Sequence, residues 1–575
     1  MKRFLFIIIS FLIFLPFSGN AQEVLGQSKN FNVEASYDFY QRSQITATLI
    51  KISPTVYWYM DDSWWKEIGS EKKEEIEQSL NALSEEFEIN IYSILTGVFG
   101  SEWSPGIDKD TRITVLIHQM KDETGGYNDT TDEYPKLQFP DSNEREMIYL
   151  NAQYINTNNA KVFLAHELVH LITFNQKDKK YNASEDIWLN EARADYSSTL
   201  LGYDDDYKES NLQRRVKDFL NKPSDSLTEW RETPADYGIA HLFIQYLVDH
   251  YGIQILADSL KMKETGIESL NAFLYQKGFK EDFAEIFNNW TIAVLINNCD
   301  VSEKYCYFNK NLKDFRITSL INYLPFIGKS TLSVTNTTKD WAGNWHKFIG
   351  GKGTLKLEFV KDSKIIFKVF YIIEDSAGNV IINSLEFNGN QRGEIFIPDF
   401  GSKNISLTII PVAQNKTSNF MKIESSYSFF WSVSTQEEEE VDISLPPIEK
   451  PVSEMTREEL LGRIAQLQTI LLQLQAQLNK LLGIETTCQE ISQNLYSGMH
   501  NDSQVRCLQE FLKSQGSEIY PEGLVTGNFL ALTQQAVIRF QEKYSAEILT
   551  PLGLKKGTGY VGLRTRLKIN ELLAS

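Results

Sequence analysis

The chain lacks a cationic excess: 57 Lys and Arg stand against 76 Asp and Glu in 575 residues, a formal net charge of −19 at pH 7. Without a basic field to draw in phosphate backbones, nucleic acid is set aside as a partner, and the acidic balance speaks mainly to solubility. Long apolar runs are missing after the first twenty or so positions, so no later segment reads as a membrane span. Cysteine is scarce, four residues in all. None stands in a CxxC pair or in the company of a catalytic thiol, which excludes a zinc knuckle and cysteine-based chemistry.

What is present begins with Lys2 and Arg3, an apolar run from Phe4 to Phe17 broken only by Ser10, and the small residues Ser18-Gly19-Asn20-Ala21. This order predicts a secretory signal peptide over residues 1–21, cleaved after Ala21, and an exported mature chain, extracellular or held in the wall or periplasm. An oxidising compartment permits disulfides, so the local pairs Cys299 with Cys306 and Cys488 with Cys507 are candidate structural bridges. The length exceeds what one hydrophobic core supports, so several domains are expected.

The stretch from Lys161 to Phe174, KVFLAHELVHLITF, carries His166, Glu167 and His170 as HExxH in an otherwise apolar run. On a helix, residues four apart share a face, so both imidazoles can be aimed at one cation with Glu167 beside them. The apolar surround predicts a buried helix, in which a dry site strengthens the effect of a metal on bound water. Catalytic zinc usually takes three protein ligands and leaves one position open.

Downstream, Trp188-Leu189-Asn190-Glu191-Ala192-Arg193-Ala194-Asp195 resembles the gluzincin metallopeptidase pattern. The resemblance implies that Glu191, on a second helix, completes a Zn²⁺ site with His166 and His170. Asp195, one turn after Glu191, can accept a hydrogen bond from the non-ligating nitrogen of His166. The segments EWSPGIDKDTRITVLI, GGY at 125–127 and NEREMIYLNA at 143–152 are similar to those preceding HExxH in immune inhibitor and hyicolysin-like metallopeptidases. Such zincins carry a twisted sheet whose edge strand takes substrate by strand addition, and Met147–Asn151 and Ile113–Ile117 are both candidates for that edge. In related enzymes a Tyr or His from a later helix steadies the oxyanion. Tyr237 and, second, His241 in the segment Thr233 to His241 are the candidates here. The cluster Asp204, Asp205 and Asp206 reads as a solvated loop, with a Ca²⁺ site as the alternative; it lacks the spaced Asp, Asn and Gly of a calcium loop.

Residues 22–328 are thus expected to form an α+β zincin-type peptidase domain. From 329 to 435, short β-type runs divided by Gly, Asn and Asp turns predict a β-sandwich accessory domain. An acidic, Pro-bearing linker follows over 436–452. In 453–483, Leu460, Ile464, Leu467, Leu471, Leu474, Leu478 and Leu481 alternate spacings of four and three, predicting a coiled-coil helix that serves as a spacer or pairs two copies. Residues 484–575 contain V-x-x-LQ at Val505, YPEGLVTG, LTQQAVIRFQ and GTGYVGLRTR, and resemble the small all-α peptidoglycan-binding module of exported bacterial proteins. Val505, Leu508, Phe511, Leu512, Ala536, Val537 and Phe540 are its expected core, and Gly523 and Gly527 its turn residues.

The combined expectation is a secreted or wall-associated zinc metalloendopeptidase acting on protein or peptide, with Glu167 as general base and peptidoglycan held by the last module. A hydrolase of peptidoglycan stem-peptide cross-links and a non-catalytic adhesin on a protease scaffold are the alternatives.

Overall fold

The computed structural model describes residues 23–122, 124–325, 330–436, 452, 455–460, 463, 490–500, 502–521 and 523–573. The expected signal peptide, most of the linker, nearly all of the coiled-coil segment and Cys488 lie outside them. Among the described residues no helix is long and apolar enough to cross a membrane.

The first body is a mixed six-stranded sheet with helices on one face. Strands β1 (Ser28–Asn32), β2 (Gln44–Ile52), β3 (Val56–Asp61), β4 (Ile113–His118), β5 (Gly126–Tyr127) and β6 (Met147–Asn151) lie in the order β1-β2-β3-β4-β6-β5. The centre is parallel, β3 with β4 and β4 with β6, and the outer pairings are antiparallel. Every residue of β3, β4 and β6 is buried, as their continuous apolar and aromatic runs require of strands covered on both faces. Alternation then sorts β3: Val56, Trp58 and Met60 face the helical core, while Tyr57 and Tyr59 face a smaller cluster with Phe31, Leu49 and Tyr149. Neither strand expected as an edge is one. Ile113–Ile117 and Met147–Asn151 are interior, and the edge beyond β6 is β5, which Gly126 and Tyr127 of the GGY motif form.

Helices α1 (Asp62–Glu67), α2 (Ser70–Glu86) and α3 (Ser93–Phe99) separate β3 from β4. After β6 come α4 (Asn159–Thr173), α5 (Ile187–Leu200), α6 (Asn211–Asn221), α7 (Pro234–Tyr251), α8 (Gln254–Leu260), α9 (Gly266–Lys277) and α10 (Phe283–Ile296). The heptad-like spacing of Ile76, Leu80 and Leu83 places their side chains in the core under α2. The HExxH stretch is the buried helix α4, which runs on into a π-helical turn at Phe174–Lys179. A disulfide joins Cys299 to Cys306 after α10.

Strands β7 (Leu320–Leu324), β8 (Ser330–Thr338), β9 (His346–Gly350), β10 (Gly353–Lys361), β11 (Phe367–Asp375), β12 (Val380–Ser384), β13 (Arg392–Phe400), β14 (Asn404–Ala413) and β15 (Tyr427–Gln436) follow. Two arcs, β12-β11-β14-β9-β7 and β13-β10-β15-β8, meet at the Phe400–Asn404 pairing and curl nearly into a barrel around Phe348, Leu357, Phe359, Leu407 and Trp431. Because β7 pairs with β9, this body begins ahead of the expected boundary at 328–329. It is not a loosely attached accessory. Trp341, Trp345, Ile410 and Val412 belong to the core of the helical body, and the Trp345 indole donates to the Thr291 carbonyl of α10 at 2.8 Å.

The last described unit packs helices Ser503–Ser514, Ala531–Lys543 and Leu563–Leu573 around a core drawn only from its own residues. Val505, Leu508, Phe511, Leu512, Ala536, Val537 and Phe540 are all buried there, and Gly523 and Gly527 take φ of 57° and 77°. One interaction occurs twice. Gln509 Oε1 accepts the N–H groups of Thr526 and Gly527, while its Nε2 donates to the Asn528 carbonyl and Thr533 Oγ1. Gln541 does the same with Thr558, Gly559, Tyr560 and Thr565. At the two ends of the unit, Asn570 both accepts from the Ile491 N–H at 2.8 Å and donates to its carbonyl at 3.1 Å. Cys507 is disulfide-bonded.

Candidate metal centre

Helical spacing aims His166 and His170 from one face of α4, with ring centroids 4.8 Å apart. Helix α5 brings Glu191 against both: Glu191 Oε2 lies 3.2 Å from His166 Nε2, and Oε1 lies 3.6 Å from His170 Nε2. Zinc bonds of about 2.0–2.2 Å in tetrahedral array hold ligand atoms roughly 3.3–3.6 Å apart, so the donor set fits Zn²⁺. Among the described residues, these three are the group of His, Cys, Asp or Glu whose ligand atoms all fall within 4.8 Å of one another. Side-chain exposures of 14%, 11% and 17% leave one side of the trio open to an incoming group.

Behind the trio, Asp195 is a hub. It stands 3.5 Å from His166 Nδ1 and 3.3 Å from His241 Nδ1, and takes Arg215 through Nε at 2.6 Å and Nη2 at 3.0 Å. Asn211 donates to it at 3.3 Å. Burial would raise this carboxyl, but Arg215, His166 and His241 hold it far below the usual range, so a charged Asp195 fixes the His166 ring through the nitrogen that faces away from Glu191. On His166 burial is outweighed by Asp195 and Glu191, which lift the imidazole to about 10. Glu191 is held low by His170 and His166 despite burial. Burial lowers His170. Its Nδ1 finds no partner in hydrogen-bond geometry, and the Asn190 carboxamide, whose oxygen is likewise unmatched, acts on it.

Glu167 is buried, and burial together with Glu191 lifts it to about 7 against the pull of His166. It lies under the edge strand: a Cβ on Gly126 would sit 3.4 Å from Glu167 Cγ, and one on Gly125 would enter the Phe163 ring of α4 at 2.4 Å. The glycines therefore let β5 come down onto the HExxH helix.

No family model matches the sequence. No curated protein matches it either. Solved structures that resemble parts of the chain include the periplasmic inhibitor of g-type lysozyme from Aeromonas hydrophila, at 9% identity over 21% of this chain and 100% of that one, with a TM-score of 0.15. Another is the pre-peptidase C-terminal domain of a collagenase from Bacillus anthracis, at 10% identity over 20% and 96%, with a TM-score of 0.14. Overlaps at these scores assign neither a fold nor an activity, and the site stands on its geometry.

Tyr237, near the start of α7, packs its ring 4.9 Å from that of Trp230 and lies under the Arg215 guanidinium at 4.4 Å. Burial and the charges of Glu191, Asp195 and Glu167 raise its hydroxyl. His241 is set apart from the open side of the trio. It is fully buried, its Nδ1 turned to Asp195 and its Nε2 accepting from Gln245 at 3.1 Å, which makes it a support for Asp195 rather than a group facing an oxyanion. Among the described residues the acids at 204–206 form no group of converging ligand atoms. Asp204 is buried and accepts from Ser198, Thr199 and the Leu212 N–H, while Asp205 and Asp206 are exposed and Asp205 pairs with Lys310.

Two participants escaped the sequence reading. Arg215 sits on the buried stripe of α6 with Leu212, Val216 and Phe219, and an arginine at a core-facing position is the signal that would have found it. Tyr37 packs its ring 5.1 Å from that of Tyr127 of the edge strand, tilted by 45°, and burial and the charges of Glu232, Glu34, Glu167 and Glu191 raise its hydroxyl. It comes from an irregular segment ahead of β2, where no periodicity marks it.

Proposed function

We propose that this chain is a zinc-dependent endopeptidase that hydrolyses peptide bonds of protein or peptide substrates, with His166, His170 and Glu191 as the metal ligands. The observation that carries the reading is the closure of Glu191, from a separate helix, on both histidines at 3.2 and 3.6 Å. A bound zinc ion would supply Lewis acidity, lowering the pKa of a water and polarising a carbonyl. Glu167, buried and lifted to about 7, is poised to take a proton near neutral pH and return it to the leaving amine. Tyr237 is the donor for the developing oxyanion. The carbonyls and N–H groups of the short edge strand β5 offer an extended substrate a main-chain partner.

The wider reading is of an exported enzyme with a zincin-type catalytic body and a peptidoglycan-binding-like module at its C-terminal end, the coiled-coil segment spacing the two. The Cys299–Cys306 disulfide supports an oxidising compartment. The self-contained core of the last unit supports a separable binding function.

Zinc stoichiometry of the mature chain, measured with cleavage of a peptide library, tests the reading. Glu167→Gln is expected to keep one zinc per chain and lose nearly all turnover, and Glu191→Ala to lose most of the metal. Substantial cleavage by Glu167→Gln, or full zinc occupancy in Glu191→Ala, overturns the assignment. Digestion of purified peptidoglycan in preference to casein would shift the substrate to stem-peptide cross-links.

A further inference from the structure

Where the start of α5 meets the second body there is a cavity of about 240 Å³. Asp186 and Trp188 wall it from α5, Trp230 and Glu232 from the segment leading into α7, and Phe420 and Lys422 from the segment before β15. It is smaller than the roughly 300–1,000 Å³ of small-molecule sites, so it suits one long side chain rather than a whole ligand.

The cavity shares helix α5 with the metal centre. Trp188 precedes Glu191 by about one helical turn on that helix. The Trp230 ring lies against that of Tyr237 at 4.9 Å.

Its lining combines aromatic faces with acid. Asp186 lines the inner wall, its Oδ2 buried against Gly266 of α9 and away from the opening. Among the described residues Glu232 pairs with Lys422 at 3.2 Å, the two side chains 61% and 68% exposed, a pairing that water and salt readily loosen. Lys422 thus shows within the chain itself how a flexible cation can lie along the Phe420 side of this cavity and reach an acid.

We propose that the cavity is a subsite for an arginine or lysine side chain of a peptide substrate, built jointly by the catalytic body and the segment before β15. The inference rests on the endopeptidase reading above. The aliphatic stem of such a residue would lie across Trp230 and Phe420, and its head would reach Glu232, displacing Lys422.

The test uses the full zinc-loaded chain and fluorogenic peptides randomised one position at a time on either side of the scissile bond. At one position, arginine and lysine are expected to exceed glutamate by tenfold or more in kcat/KM. Glu232→Lys should reverse that preference, and Lys422→Ala should widen it; both positions are exposed, so neither change threatens the fold. Cleavage with no basic preference at any position, or a preference that neither variant moves, overturns the subsite while leaving the peptidase reading intact. Failure to cleave any peptide overturns both.

Discussion

At the scale of single residues, the centre depends on charges that water does not reach. Asp195 compensates the buried Arg215 and orients His166, so Asp195→Asn should loosen both at once. Zinc affinity is expected to fall by about 10–100-fold, the usual cost of losing a group that steadies a ligand histidine, as read by competition with a chromophoric chelator. The midpoint of thermal unfolding should fall as well, since a buried guanidinium loses its counter-charge. A second buried acid gives a pH signature. Glu146 stands just ahead of β6 and accepts the Ile107 N–H at 3.0 Å. Burial pushes it from 4.5 to about 7, with Ile107 lowering and Asp108 raising it. Since the folded pKa exceeds the unfolded one, the stability tied to the neutral form is complete below about 4.5 and is lost as pH rises towards 7 and beyond. Glu146→Gln keeps an acceptor for Ile107 and does not ionise. Its unfolding midpoint relative to wild type should therefore climb across that window and level off above it. A difference that stays flat with pH would show that Glu146 is not the group titrating.

At the scale of elements, the close seating of β5 on α4 is the feature most exposed to a single change. Gly125→Val would drive side-chain atoms into the Phe163 ring, so the edge strand must lift or Phe163 must turn. Peptide hydrolysis should lose at least tenfold in kcat/KM, mainly through KM, with zinc content unchanged, because the metal ligands come from α4 and α5 and not from the strand. Much of this element map was legible in the chain. The apolar surround of HExxH gave a buried α4. The edge strand was not, because two residues flanked by glycine carry no alternation and a strand of that length is defined by its partner β6. Strand β7 was missed for a related reason: Leu320–Leu324 falls before the composition shift that suggested a boundary, and it owes its identity to pairing with β9. At the site, ligand spacing was legible and its depth was not: Arg215 reaches Asp195 through a tertiary contact that sequence distance hides.

At the scale of the whole molecule, the cores divide differently from the expected domains. The helical body and the sheet body share Trp341, Trp345, Ile410 and Val412, so they should unfold together, and a chain ending before β7 should not yield soluble protein. The C-terminal unit shares nothing with that core. Stopping the chain near residue 455 is therefore expected to leave cleavage of a soluble peptide within about twofold of the full chain, in keeping with independent sites, and to abolish sedimentation with purified wall sacculi. A large loss of soluble-peptide turnover would mean that the last unit supports catalysis directly.

The hydrogen bonds between Asn570 and Ile491 carry a consequence of another kind. They place the beginning and the end of the C-terminal unit side by side, and a segment whose ends touch can be spliced into the loop of a host protein without stretching either. Such a unit travels well through recombination. Grafting residues 484–575, so that Cys507 keeps its disulfide, between two strands of an unrelated β-protein would show whether the unit folds wherever it lands.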